Sequence, residues 1–225
     1  MGFMEKFLEE SYKEFEALAD TVWKLNSSID DLYEEEKAKL TTYFPNDPDL
    51  QAMRWSHEGY ILDQVIPKAL NYSLIVFLYI ELETRLMKLC NYLCDNRELP
   101  VKPNELKGQG VIRYLKYIES FFNVPIDEVS GIEDVRSLGH LRNCIVHTNG
   151  FVNHSSNRKA IHHIVNQGRY LTKDRRDLRS GELALIKLEE TEDGAKLKFD
   201  FHYPFMLCGY LQRFILSLVR TIIND

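Results

Sequence analysis

The sequence predicts a mainly α-helical bundle, with a helical N-terminal extension and one β-hairpin before the last helix. Three observations carry this. Apolar residues recur at three- and four-residue steps through most of the chain, which is the helix period. Two short alternating runs flank Thr191-Glu192-Asp193-Gly194 late in the chain, which is a hairpin pattern. A chain of 225 residues with 44% hydrophobic and 28% charged content can bury a sizeable core and is not a disordered polymer.

The elements follow in order. Residues 3–25 read as a helix on Phe7, Tyr12, Phe15, Leu18, Val22 and Leu25. Asn26-Ser27-Ser28 is expected to break it, with Ser28 capping a second helix to about Tyr43. Pro45-Asn46-Asp47-Pro48 is a turn, and a third helix is expected over Leu50–Val65, interrupted at Pro67. Ala69–Asn96 has the strongest pattern, with Leu74, Leu78, Leu82, Leu86, Leu89 and Leu93 in one stripe. Residues 97–108 form a loop, Val111–Asn123 a helix and residues 125–130 a connection. Ile132–His147 is a helix stopped by Asn149-Gly150. A short helix is expected over Arg158–Val165, and hairpin strands over Leu183–Leu188 and Lys196–Phe201. Pro204 opens a last helix to Ile223. The expected division is an acidic extension over 1–48 and a helical domain over 49–225. That domain has a core at 69–150, a basic segment at 153–179, the hairpin at 183–201 and the last helix at 204–223.

Several function classes are excluded at this stage. No unbroken apolar run approaches the roughly 18 residues of a membrane span, since Glu81 and Glu83 follow Leu74–Ile80 at once. Met1–Glu10 carries Glu5, Glu9 and Glu10, unlike a signal peptide. Cys90, Cys94, Cys144 and Cys208 form no CxxC pair and read as buried reduced thiols of a cytoplasmic protein. No metal and no cofactor is expected, and no membrane partner.

The net charge of −6 is unevenly spread. Residues 1–50 hold 13 acidic and 5 basic side chains, or −8, which leaves +2 for the rest. A polyanion would have to meet the downstream part. Residues 157–179 are the place for it. They hold Arg158, Lys159, Arg169, Lys173, Arg175, Arg176 and Arg179 against Asp174 and Asp177, or +5, with Tyr170 available to stack on an unpaired base. The alternative for this segment is a solvated loop.

The residues that bear chemistry lie in Ser137–His147. Arg142 and His147 stand five residues apart on one helix. A histidine moves protons near neutral pH, and an arginine holds a phosphate and offsets its transition-state charge. Together they suit RNA cleavage without a metal. Arg158 and His163 repeat the spacing, but in a polar segment without an apolar stripe, and this copy is taken as a decoy. On the wheel, Leu138, Leu141 and Ile145 form the core face, while Arg136, His140, Asn143 and His147 oppose it. Arg142 lies beside the core stripe, where a guanidinium needs a carboxylate or a phosphate. Glu83 is the candidate carboxylate; its alternative is a solvated residue pairing with Lys88 or Arg85. Arg142 and His147 are about 140° apart around the helix and about 7.5 Å apart along it, so they do not share a stripe. Two copies across a two-fold axis would make one cleft of two such pairs. The alternative is a solvated polar face ending in a capping histidine.

Arg142-Asn143-Cys144-Ile145-Val146-His147 resembles the motif of the HEPN (higher eukaryotes and prokaryotes nucleotide-binding) family, with Asn143 as its polar residue. Phe77–Leu86 resembles the family's earlier helix, with Glu83 matching its supporting acid better than Glu81. The resemblance covers residues 69–150 and implies a HEPN-like bundle. It also implies a dimeric, metal-independent endoribonuclease, a toxin or antiphage effector leaving 2′,3′-cyclic phosphate and 5′-OH ends. On this reading His147 activates the 2′-OH or protonates the leaving oxygen. Arg142 stabilises the phosphate, Asn143 positions groups and Glu83 supports Arg142. Arg136, His140, Arg158, Lys159, Arg169, Tyr170, Lys173, Arg175 and Arg176 would contact RNA. Expected partners are RNA, a second copy, and an antitoxin or defence protein. Asn149 stands where some members carry a modifiable tyrosine, which puts that form of control in doubt. Two rivals remain: a non-catalytic RNA- or nucleotide-binding scaffold, and a helical interaction protein binding through its acidic helices. If those helices shield the cleft, deleting residues 1–44 is expected to raise RNA affinity in a chain that still folds.

Overall fold

The computed structural model describes residues 2–167 and 184–224, and they form a mainly helical protein with one two-stranded hairpin. The helices are α1 (Phe3–Tyr43), α2 (Pro48–Tyr60), α3 (Ile66–Asn96), α4 (Gly110–Phe122), α5 (Ile132–Thr148), α6 (Arg158–Gln167) and α7 (His202–Asn224). Strands β1 (Ile186–Thr191) and β2 (Gly194–Phe199) pair antiparallel before α7.

The expected break at Asn26-Ser27-Ser28 does not occur, and α1 runs unbroken for 41 residues. Its polar side chains bond back onto their own helix. Asn26 Nδ2 donates to Val22 O at 3.3 Å and Ser28 Oγ to Lys24 O at 2.9 Å. Such back-bonding lets residues that favour caps sit inside a helix. The packing that fixes α1 comes from Phe7, Phe15 and Val22, all buried. Phe7 and Phe15 belong to the same hydrophobic cluster as α3, α5 and α7. Deleting residues 1–44 would therefore strip core side chains, so it is not a clean test of shielding.

Pro67 also acts differently from expectation. The helical path continues from α2 into α3 through a π turn, Ile61–Val65, closed by Ile66 N–H donating to Ile61 O. The wider turn takes up the register change, and Pro67 falls in the first turn of α3, where its missing donor costs little. The stripe on α3 begins at Ile75, with Leu74 only half-buried, and continues through Leu78, Leu82, Leu86, Leu89 and Leu93. Burying one such side chain is worth about 1.5–3 kcal/mol. The stripe meets α4, α5 and α7, with Leu138, Leu141, Leu211, Phe214 and Leu218 fully enclosed.

The hairpin register pairs Ile186 with Phe199, Leu188 with Leu197 and Thr191 with Gly194, which shortens the turn to Glu192-Asp193. Both strands start or end a few residues from their expected bounds, and Leu183 lies outside the described residues. Two buried bonds tie β2 to α3: Tyr72 Oη donates to Leu197 O at 2.7 Å, and Asn71 Nδ2 to Phe199 O at 3.1 Å. Helix α6 extends to Gln167. By length and average composition, Pro48–Asn96 and His202–Ile223 are apolar enough to cross a bilayer, although neither holds an unbroken apolar run of about 18 residues. Both contribute to the core just described.

Candidate functional site

Helix α5 starts after Gly131 (φ +87°) and ends at Asn149 (φ +51°) and Gly150 (φ +82°), with Asn149 N–H donating to Cys144 O. A left-handed Asn-Gly ending is a strong helix stop. It places His147, exposed, in the last turn, and Arg142, half-buried, in the turn before it. Gly139 faces the Tyr79 ring of α3, and a Cβ there would meet it at 3.7 Å, an ordinary contact distance.

Between α3, α4 and α5 lies a cavity of about 360 Å³. Tyr79 and Glu83 from α3, and Arg136, His140, Arg142 and Asn143 from α5, line it. Thus five of the expected site residues, Glu83, Arg136, His140, Arg142 and Asn143, share one pocket. His147 does not line it.

Within the pocket, Arg142 Nη1 donates to Asn143 Oδ1 at 3.0 Å. Its guanidinium lies 5.5 Å from the centre of the Tyr79 ring, a cation–π contact. Its Nε is buried and has no hydrogen-bond partner among the described residues. No carboxylate comes within 4 Å of Arg142 among the described residues, so Glu83 shares its cavity without pairing to it. Glu81, the second candidate acid, is committed elsewhere. It holds the buried Arg85 at 2.7 Å, and Arg85 also reaches Glu14 of α1 at 3.5 Å.

Tyr79 is a site residue that the spacing arguments passed over. Its hydroxyl accepts from Val111 N–H at 3.3 Å, at the start of α4. Burial pushes its pKa up, and Glu83 adds to this, so the phenol stays protonated at neutral pH. The available signal was its place four residues before Glu83, on the same helix face. Gln109 and Gly110 complete the rim and carried no signal in the sequence.

The remaining expected residues are placed less favourably for RNA. Arg136 pairs with Asp127 and with Glu133 (2.9 Å), so its charge is already engaged. Arg158 and Lys159 are exposed in the first turn of α6. Arg169, Tyr170, Lys173, Arg175 and Arg176 lie outside the described residues.

No known family, curated protein or solved structure matches the chain.

The chemistry available at the pocket is anion recognition. A half-buried guanidinium that spends one N–H on Asn143 and has no carboxylate among the described residues keeps further N–H donors for a phosphate. The four cysteines stay out of this chemistry. All are buried, and burial pushes the Cys90 thiol well up and that of Cys208 to about 12.

Proposed function

We propose that this chain is a HEPN-type, metal-independent endoribonuclease, acting as a toxin or antiphage effector. The observation that carries the reading is Arg142: a half-buried guanidinium, in a pocket, beside Asn143, with no carboxylate partner among the described residues. A phosphate of RNA supplies the missing anion. Arg142 then stabilises charge on the scissile phosphate, and Asn143 fixes its orientation. His147 moves the proton, from the 2′-OH or to the leaving 5′ oxygen, and the 2′-oxygen attack yields a cyclic phosphate. Glu83 sets the field in the pocket rather than pairing with Arg142.

His147 lies outside its own Arg142 pocket, and this favours a site shared by two chains. An apolar rim supports the pairing. Ile80 and Met87 flank Glu83 on α3, Ile112 lines the pocket from α4, and Val146 follows Arg142 by one turn; all four are exposed. A second copy docked on this rim would bring its own α5, and its His147, to the cleft. The expected partners remain RNA, a second copy and a controlling protein, in the cytoplasm.

The test is incubation with total RNA in EDTA. Wild type should cleave, leaving cyclic-phosphate ends, while Arg142→Ala and His147→Ala should lose about 10²–10⁴-fold in rate. Cleavage that needs a metal, or that survives both substitutions, rules the reading out. RNA binding that persists in His147→Ala, with no cleavage by wild type, would favour the scaffold reading.

A further inference from the structure

A second cavity, of about 630 Å³, lies at the far end of the α3–α5 seam. Its wall joins the π turn, the first turns of α3, Asn149 and the hairpin. None of the Arg142 pocket residues line it.

Three features of this wall call for a ligand. First, Lys68 and Lys196 both face the cavity, and neither forms an ion pair within 4 Å among the described residues. Each ammonium group lies over an aromatic ring, the two lysines touch each other, and Glu189 is the cross-strand neighbour of Lys196. Lys68 Nζ lies 5.7 Å from the Tyr72 centroid and Lys196 Nζ 4.2 Å from that of Phe151. The contact with Lys196 pushes the Lys68 pKa down, and partial burial adds to this. The facing carboxylates are Glu189, already held by Lys198 at 3.2 Å, and Asp63, exposed on the π turn. Two crowded ammonium groups with so little counter-charge favour a shared anion.

Second, Asn71 is only 4% exposed and donates its Nδ2 to Phe199 O, but its Oδ1 has no partner among the described residues. A buried acceptor left in this state favours an incoming N–H. Third, Tyr60, Tyr72, Pro67 and Phe199 give the cavity flat apolar walls suited to a planar ring.

We propose that this cavity binds a nucleotide unit, with its phosphate between Lys68 and Lys196 and its base against the aromatic wall near Asn71. The unit comes either as a free nucleotide or as one residue of an RNA strand. The site does not depend on the ribonuclease reading.

Calorimetry on the full chain tests it with four probes: adenosine monophosphate, adenosine, inorganic phosphate, and a tetra-adenylate made uncleavable by 2′-O-methylation. The monophosphate or the tetranucleotide should bind about tenfold or more tighter than adenosine, and phosphate should compete. Whichever of the two binds identifies the source. Lys68→Gln and Lys196→Gln should each weaken binding about tenfold, and Lys68→Arg should restore it. Neither lysine holds an ion pair among the described residues, so the melting temperature of Lys68→Gln should not fall. Arg142→Ala should leave this binding unchanged. Absence of binding by both nucleotide probes, equal affinity for adenosine, or indifference to both lysine substitutions overturns the proposal. So does a loss in Arg142→Ala as large as in Lys68→Gln, since the ligand would then sit in the other pocket. Because every probe is inert, failure of RNA cleavage leaves this result readable.

Discussion

Glu81 and Glu83 stand two residues apart on α3 and do different work. Glu81 holds Arg85, whose side chain is 7% exposed, so its removal leaves a buried cation leaning on the distant end of Glu14 alone. Glu81→Ala should cost about 3 kcal/mol in urea unfolding, because breaking a buried pair strands its partner. Glu83 has no ion pair among the described residues. Glu83→Gln should unfold at an unchanged urea midpoint while lowering the cleavage rate; unaltered cleavage would remove Glu83 from the site. The four-residue spacing of Glu81 and Arg85 was open to view in the sequence; the burial of Arg85, with Glu14 of α1 reaching it from a distant part of the chain, was not. Gly150 is a further decisive residue. It has φ +82°, and a Cβ there would overlap the Tyr72 hydroxyl that secures β2. Gly150→Ala should destabilise by about 1–3 kcal/mol from backbone strain alone, with more from the clash, read as a fall in melting temperature.

At the scale of elements, the legible parts are those with a long apolar period. The α3 stripe, the amphipathic α4 and the α5 core face were all readable, as was the Asn149-Gly150 stop, because each depends on residues close in sequence. The joins were not. Asn26, Ser27 and Ser28 look like a break, and the back-bonds of Asn26 and Ser28 together with the packing of α1 on α7 show why the helix carries through. Pro67 looks like an end, and only the π turn before it shows how the path continues. The packing makes a quantitative claim about α1. Phe15 is 1% exposed in the common core, so Phe15→Ala should cost about 3–5 kcal/mol in denaturant unfolding. A cost near zero would mean that α1 is an appendage after all. The acidity of α1 is then best tested by charge rather than by deletion. Asp30, Asp31 and Glu34 are exposed, and neutral amides in their place should raise RNA affinity at low salt if the helix repels the strand.

The whole molecule decides whether one chain is enough. Arg142 and His147 belong to one helix, yet the pocket that receives Arg142 leaves His147 outside on the solvent. Around that pocket, Ile80, Met87, Ile112 and Val146 stay exposed, at 48%, 38%, 42% and 46%. Apolar residues grouped beside a charged pocket mark a contact surface more than scattered ones do. A charge on this rim should therefore act on assembly and on chemistry together. Val146→Asp should shift the chain from dimer to monomer in sedimentation and abolish RNA cleavage, while the helical circular dichroism stays unchanged. An active monomer would place both groups of one turnover in one chain. Mixing gives the complementary measurement. Arg142→Ala and His147→Ala are each expected to be inactive, but their mixed dimer pairs an intact Arg142 from one chain with an intact His147 from the other. If the cleft is shared, mixing after brief unfolding and refolding should recover cleavage that neither variant shows alone. If each chain carries its own site, the mixture stays as inactive as its parts.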